Sequence, residues 1–202
     1  MLRRQVILVI IASLAAGLLL TAVIGPENTV KAIIYSPPGI VLFGRIAMAY
    51  SYIYSLTGNT HLSLAMGIFL TNGLTIGTSL AAPAALHASH TLGLRMRRRG
   101  RMAALLLKAG WELPQIVMLY VSIYLAAFTG LSIAAVSMAR SPAAFMVPEA
   151  LYVAIASSTV YTASRIPYDG FIPRYRSLLL KTLPAIAVLM AVSAVMEAYE
   201  IL

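Results

Sequence analysis

The stretch IAMAYSYIYSLTGNTHLSLAMGIFLTNGLTIGTSLAAPAALHASHTLGL, residues 46–94, contains no Asp, Glu, Lys or Arg. Two further stretches, residues 5–26 and 113–139, also lack these four residue types. About 20 consecutive apolar residues are enough to cross a bilayer as a helix, and each stretch reaches that length. The sequence therefore predicts an all-α protein, a polytopic bundle of transmembrane helices.

The overall composition favours the same class. Of the 202 residues, 60% are apolar and 10% are charged, whereas soluble domains carry about 25% charged residues. This excludes a soluble enzyme and a disordered tail. The net charge of +9 comes mostly from connectors between apolar runs, which is typical of membrane topology, so we expect no nucleic-acid partner. The chain has no cysteine, which excludes disulfides and cysteine-based metal sites.

We predict one integral membrane domain, residues 1–202, with about five spans. The first span, residues 5–25, is longer than the core of a signal peptide and ends at Gly25-Pro26-Glu27-Asn28. The other predicted spans are residues 61–88, 115–136, 143–163 and 178–200.

Residues 40–57 are the segment that is hardest to place, because they contain Arg45 and several tyrosines. If they crossed the membrane, the arginines of residues 95–101 would lie opposite Arg3 and Arg4, against the tendency of basic residues to stay inside. We therefore expect residues 40–57 to form an outer interfacial helix, where tyrosine rings and a long arginine side chain are well accommodated.

The third apolar run, residues 102–137, is too long for one straight span. It is interrupted at Trp111-Glu112-Leu113-Pro114, because proline lacks a backbone donor and disfavours helix in the residue before it. We predict a broken third helix: a short cytoplasmic-side piece over residues 102–111, amphipathic or re-entrant, followed by the span 115–136.

The basic residues then set the orientation. This arrangement puts ten of them in the inside segments (residues 3–4, 95–101 and 165–176) and three outside, namely Lys31, Arg45 and Arg140. The bias predicts a multi-pass protein of the cell membrane, with a cytoplasmic N-terminus and an outside C-terminus.

Small residues recur every four positions in the second span, at Gly73, Gly77, Ala81 and Ala85, with Asn72 beside them. A similar stripe is Ala126, Gly130 and Ala134. Such stripes let helices approach closely, and an amide in hydrocarbon seeks a partner across the interface. The stripes predict helix packing within one subunit, association between subunits, or a functional groove.

Glu112, Glu149 and Glu197 lie in or next to apolar runs. A carboxylate in hydrocarbon is costly and needs a cation, water or a proton. Glu112 lies one turn from Lys108, and Glu149 and Glu197 could pair with Lys31, Arg45 or Arg140. The alternatives are structural pairing, helix capping, and a path for protons or ions.

No catalytic motif is present, so we expect neither an enzyme nor a cofactor. His87 and His90 are spaced to share a metal ion, but without cysteine and with only Glu112 as a third ligand we expect no metal site. Arg95, Arg97, Arg98, Arg99 and Arg101 are explained by topology, and contacts to anionic lipids or to an acidic cytoplasmic partner are the alternatives.

Three segments carry a family resemblance. They are Phe69-Leu-Thr-Asn72-Gly73-Leu-Thr-Ile-Gly77, Glu112-Leu113-Pro114 with Gly130-Leu131 in the following span, and Ala194-Val195-Met196-Glu197-Ala198. Together they resemble the stage II sporulation protein M family of small multi-span membrane proteins. The chain departs from that family in having Lys108-Ala109 where the family has His-Gly ahead of its glutamate.

The resemblance implies a non-catalytic membrane component, because in spore-forming bacteria this family helps to hold an envelope-remodelling complex. We therefore expect a scaffold or assembly subunit that contacts membrane lipids and forms a homo-oligomer or binds other membrane proteins. The alternative is a small transporter or channel-like permease that uses intramembrane glutamates, since a helix broken at Glu112 and Pro114 suits a binding site. An intramembrane enzyme using Glu112, His87 and His90 is a third hypothesis.

Overall fold

A computed structural model describes residues 2–96 and 144–201 of the chain. Every regular element in these two ranges is a helix, which confirms the all-α class for them. The predicted helix 102–111 and the predicted span 115–136 lie outside the described residues. The described helices are α1 Leu2–Ile24, α2 Pro26–Tyr35, α3 Pro37–Thr57, α4 Thr60–Met96, α5 Met146–Ala163 and α6 Phe171–Ile201.

The first helix ends where the sequence predicts, at Gly25-Pro26. Gly25 has a φ of 83°, a left-handed conformation that glycine adopts without a steric penalty, and its N–H donates to the Thr21 carbonyl at 2.9 Å. Pro26 then begins α2 at a position where no helical donor is required. Thr29 stabilises this start, because its backbone N–H and its hydroxyl both donate to the Gly25 carbonyl, at 3.0 Å and 2.9 Å.

A tight turn at Gly58-Asn59 joins α3 to α4. Gly58 has a φ of 64° and donates its N–H to the Tyr54 carbonyl at 2.8 Å. The Asn59 side-chain oxygen accepts a hydrogen bond from the Leu62 N–H at 2.9 Å, which satisfies one of the free donors at the start of α4. Such a short turn makes the two helices run antiparallel and side by side.

Gly67 marks the closest approach of α3 and α4. A Cβ atom at this position would lie 3.1 Å from the Ile46 carbonyl oxygen and 3.4 Å from the Tyr50 nitrogen. Glycine is therefore the residue that lets the two backbones meet here. Among the described helices, α3 contacts only α4 and α2, so it lies at the edge of the described part of the bundle.

The long helix α4 has 37 residues, spans about 55 Å, and runs antiparallel to α6. Pro83 lies inside α4 without ending it, although proline removes a donor and leaves carbonyls of the preceding turn without their usual partner. The helix continues to Met96 and so contains the whole of the predicted span 61–88. Contacts along the α4–α6 pair join His61 to Tyr199, Gly73 to Met190, and the Leu80 carbonyl to the Tyr175 hydroxyl, which donates to it.

The core of the bundle lies between α4, α5 and α6. Ala156 on α5 and Ala198 on α6 are fully buried, and such small side chains allow close helix packing. Helix α1 packs against α5 from outside this core. The buried apolar cluster consists of Ile76, Leu80, Tyr152, Val153, Ala156, Val160, Ile186 and Met190.

The outer surfaces of the helices are apolar. No residue of Ile40–Thr57 is buried, and α6 exposes Leu180 and Val188 to 65% and 63%. Soluble proteins rarely expose such large contiguous apolar surfaces. Among the described helices, three are long and apolar enough to cross a membrane, at Ile40–Thr57, Thr60–Leu92 and Phe171–Glu200. These features support a membrane protein, while the count of about five spans stays a prediction.

Candidate functional site

The packing of α4, α5 and α6 separates acidic from basic residues. The Ser193 hydroxyl on α6 donates to the carbonyl of Phe145, just before α5, at 3.1 Å, so α5 also runs antiparallel to α6. The starts of α4 and α5 therefore lie with the end of α6, and their ends lie with its start. The first end carries Glu149, Glu197 and Glu200, and the second carries Arg95, Arg165, Arg174 and Arg176.

Four residues at the first end form an acid cluster, which we define as Glu149, Tyr152, Glu197 and Glu200. Within each helix the two members are three positions apart, so they share a helix face. Glu197 interacts electrostatically with Glu149 and Glu200, and Tyr152 interacts with Glu149 and Glu197. Sequence analysis identified Glu149 and Glu197 but missed Tyr152 and Glu200. Each of these two residues follows one of the acids by three positions, and this spacing could have identified them.

The carboxyl groups of the acid cluster have no cation paired with them among the described residues. Within residues 2–96 and 144–201, no Lys or Arg forms an ion pair with Glu149 or Glu197. Lys31 and Arg45, two candidate partners from the sequence, are exposed and make no such contact, and Arg140 lies outside the described residues. Glu149 lies in the first turn of α5, where the helix dipole favours a negative charge.

Glu200 joins the end of α6 to the segment before α5. Its Oε1 accepts a hydrogen bond from the Ala144 N–H at 3.2 Å. Its Oε2 is buried and has no hydrogen-bond partner among the described residues. A buried polar atom without a partner is uncommon and costs free energy. This oxygen is therefore suited to accept a hydrogen bond or to contact a cation.

At the opposite end, aromatic rings form a histidine cluster, which we define as His87, His90, Tyr168 and Phe171. The ring centroids of His90 and Tyr168 are 3.8 Å apart, and those of His87 and Phe171 are 4.5 Å apart. Burial raises the pKa of the Tyr168 hydroxyl, which favours the neutral phenol. The stacking holds the end of α4 against the connector between α5 and α6.

A metal site at these histidines has no support in the described part of the chain. No group of three or more His, Cys, Asp or Glu side chains there is arranged to hold a metal ion. Glu112, the third ligand considered from the sequence, lies outside that part.

Exposed arginines lie at the same end of the bundle as the histidine cluster. The guanidinium carbon of Arg165 lies 4.7 Å from the centroid of the Tyr161 ring, and Arg165 donates a hydrogen bond to the Tyr161 hydroxyl. Arg95 lies in the last turn of α4, and Arg174 lies in the first turn of α6. Such a group of cations beside aromatic rings suits the boundary between the bilayer and water.

The small-residue stripe of α4 turns from the core to the surface. A Cβ atom on Gly73 would lie 3.4 Å from the Met190 side chain of α6, and Asn72 is partly buried beside it. A Cβ atom on Gly77 would meet no atom within 4 Å. The exposed members of the stripe are Gly77, Ala81 and Ala85.

Several residues that the sequence singles out lie outside the described ranges, and their roles stay predictions. They are Glu112, Pro114, Gly130, Arg97, Arg98, Arg99 and Arg101.

The described residues thus define a class: an all-helical protein with helices able to cross a membrane, acidic at one end of its core bundle and basic at the other. No protein-family model, no curated protein and no solved structure matches the chain. The two ends of the bundle are therefore interpreted from their own chemistry.

Proposed function

We propose that the protein is a non-catalytic scaffold or assembly subunit of a membrane complex. The observation that carries this proposal is the exposed face of α4 at Gly77, Ala81 and Ala85. Within lipid, helices associate where small residues let backbones approach, and this face lies outside the α4–α5–α6 core. The resemblance to the stage II sporulation protein M family supports the same function.

Association through this face should be visible by native mass spectrometry of the protein in lipid nanodiscs. The wild type is expected to form homo-oligomers or to retain other membrane proteins. Ala81→Leu should weaken this association, because the larger side chain fills the exposed face. Val188→Leu is the matched control, since Val188 lies on the exposed side of α6. A strict monomer without any co-purifying protein would count against the scaffold proposal.

We also propose that the basic end faces the cytoplasm of the cell membrane, because Lys and Arg beside spans favour that side. Arg95, Arg165 and Arg174 share this end. The end of α6, and with it the C-terminus, would then lie outside.

The position of α3 decides where the N-terminal segment lies. Because α3 runs antiparallel along α4, we propose that it crosses the membrane beside α4 and is not an interfacial helix. Helix α2 would then lie on the cytoplasmic side, and a spanning α1 would put Arg3 and Arg4 outside, against the charge rule. With α3 at the outer interface, α2 would lie outside and the N-terminus would be cytoplasmic.

Cysteine labelling separates the two positions of α3, because the natural chain contains no cysteine. Lys31→Cys on α2 and Asp169→Cys in the α5–α6 connector introduce thiols at exposed positions. In intact cells, a membrane-impermeant maleimide is expected to leave both unlabelled, since both would lie inside. Both should react after permeabilisation, which shows that the thiols are accessible. Labelling of Lys31→Cys alone in intact cells would place α3 at the outer interface.

The acid cluster favours a second candidate function, a small transporter or channel-like permease. Carboxyl groups inside helix bundles mark proton and ion pathways when no protein cation neutralises them, and within residues 2–96 and 144–201 Glu149 and Glu197 fit this description. Ion or solute flux into proteoliposomes, reduced by Glu197→Gln, would support this function. Vesicles without flux, or with equal flux for the wild type and Glu197→Gln, would contradict the transporter function.

A further inference from the structure

One exposed face of α6 is basic near the start of the helix and apolar further along. Residues three or four positions apart share a helix face, and seven exposed residues of α6 follow this spacing. The residues of α6 that are buried in the core, among them Tyr175 and Ile186, occupy a different face. We call the exposed set the α6 column and define it as Arg174, Ser177, Lys181, Ala185, Val188, Val192 and Val195.

The basic part of the α6 column extends from the first turn of the helix into its apolar length. Arg174 is the fourth residue of α6. Lys181 lies about 10 Å further along the axis, inside the apolar stretch Phe171–Glu200. The Cα–Cβ bonds of a helix tilt toward its N-terminus, and long lysine side chains extend to the membrane interface. Both cations can therefore reach the headgroup layer at the basic end, with Ser177 between them.

Beyond Lys181, the α6 column consists of apolar side chains. The exposed fractions of Val188, Val192 and Val195 are 63%, 45% and 47%. Helices that pack together in lipid prefer small residues at their contact, whereas lipid chains are as apolar as such branched side chains. A basic segment that continues as an apolar column matches a phospholipid, in which a phosphate is joined to acyl chains.

The side chains at the basic part of the column favour an anionic headgroup. Arg174, Ser177 and Lys181 all carry hydrogen-bond donors, and the oxygens of a phosphate accept such bonds, most strongly from cations. Asp169, in the connector before α6, is exposed and lies five residues from Arg174. It lowers the positive charge at this end without cancelling it, since Arg165 and Arg176 are located there too. Basic residues beside a bilayer attract anionic lipids.

We propose that the α6 column binds an anionic phospholipid, whose phosphate lies at Arg174, Ser177 and Lys181 and whose acyl chain follows the valines. The cations select the charge of the headgroup. The adjoining apolar part of the column selects a lipid over a free phosphate ion. This inference is independent of the proposed scaffold function, which concerns the exposed face of α4.

Quenching by brominated lipids tests this binding in phosphatidylcholine vesicles. The natural chain has no cysteine, so a fluorescent dye attached at Val188→Cys reports on the α6 column alone. The quenchers are phosphatidylglycerol and phosphatidylcholine with brominated acyl chains, each added as a minor component. Phosphatidylglycerol is expected to associate about tenfold more strongly, because each of the two cations contributes up to about fivefold.

Substitutions in the labelled protein then locate this preference on the α6 column. Arg174→Gln and Lys181→Gln should each reduce it several-fold and together should abolish it, whereas Lys181→Arg should keep most of it. Arg176→Gln is the matched control. It removes an exposed arginine near the same depth, but this residue lies about 200° around the helix from Arg174, so the preference should not change. Equal association of both lipids before substitution, or a preference that survives the double substitution, overturns the proposal.

Two further outcomes identify other occupants of the α6 column. If neither brominated lipid quenches the dye, protein covers the column and the proposal is wrong. If millimolar inorganic phosphate removes the preference, the basic part binds a free anion and the lipid assignment is wrong. Vesicles of the same composition in both leaflets make the result independent of which end of the bundle faces the cytoplasm. Native mass spectrometry of the oligomers tests the scaffold function separately.

Discussion

Gly67→Leu should separate α3 from α4 and lower the free energy of unfolding by about 3 kcal/mol. The loss of stability is expected because any side chain at position 67 would meet the backbone of α3. A Cβ atom at this position already lies 3.1 Å from the Ile46 carbonyl oxygen, and a backbone atom cannot rotate away as a flexible side chain can. The rest of the leucine side chain would force the two helices apart along their whole contact. Denaturation of the purified protein by SDS in mixed micelles measures the change.

Gly77→Leu is the matched control, because it makes the same exchange in the same helix. A Cβ atom on Gly77 meets nothing within 4 Å, so the stability of the monomer should change by less than about 0.5 kcal/mol. Spin labels at Ser51 and Leu70, two exposed positions on α3 and α4, should move apart in the Gly67 variant only. Equal stability of the two variants would show that the Gly67 contact does not hold the hairpin.

Glu197→Gln should raise the free energy of unfolding by about 1–2 kcal/mol near neutral pH. Glu197 interacts with both Glu149 and Glu200, so the amide removes two like-charge contacts while keeping nearly the same shape. The gain should be largest at high pH, where the carboxyl groups carry their charge, and should disappear in acid, where they are protonated. Stability curves of the two proteins as a function of pH check this.

Two other acids are the controls for Glu197→Gln. Glu200→Gln should give a smaller gain, because the amide oxygen still accepts the Ala144 N–H and one repulsive contact with Glu197 is lost. Glu27→Gln changes an exposed acid on α2 and should have little effect. If Glu197→Gln instead lowers stability, and more so in the presence of a particular cation, a bound ion compensates the cluster and the transporter hypothesis gains support.

Local chemistry made several helix limits predictable. The Gly25-Pro26 pair ends α1, and the Gly58-Asn59 turn separates α3 from α4, because left-handed glycines and side-chain caps depend on neighbouring residues only. Pro83 shows the limit of such local arguments, because proline lacks a helical donor and α4 nevertheless continues past it. The span predicted over residues 178–200 lies within a longer helix, since α6 begins at Phe171. The first turns of α6 are stabilised by burial of Phe171 and Tyr175 in the bundle, and burial depends on tertiary contacts.

The candidate sites were likewise predictable only in part from the sequence. Glu149 and Glu197 stand out in the sequence, because a carboxylate in an apolar run needs an explanation wherever it lies. Their meeting across α5 and α6, together with Tyr152 and Glu200, depends on how those helices pack. The pairing of these acids with Lys31 or Arg45 was an expectation from charge alone. Within the described ranges it does not occur.

The sequence by itself determined that this chain is helical and suited to a membrane, because long apolar runs without charge are unfavourable on a surface that faces water. It also located the basic connectors and the residues whose burial would be costly. Only the tertiary structure decided that three acids meet at one end of the bundle and four arginines lie at the other. It alone also showed that Gly67 brings α3 against α4. Direction, register and distance between helices come from side chains far apart in the chain, and no local pattern contains them.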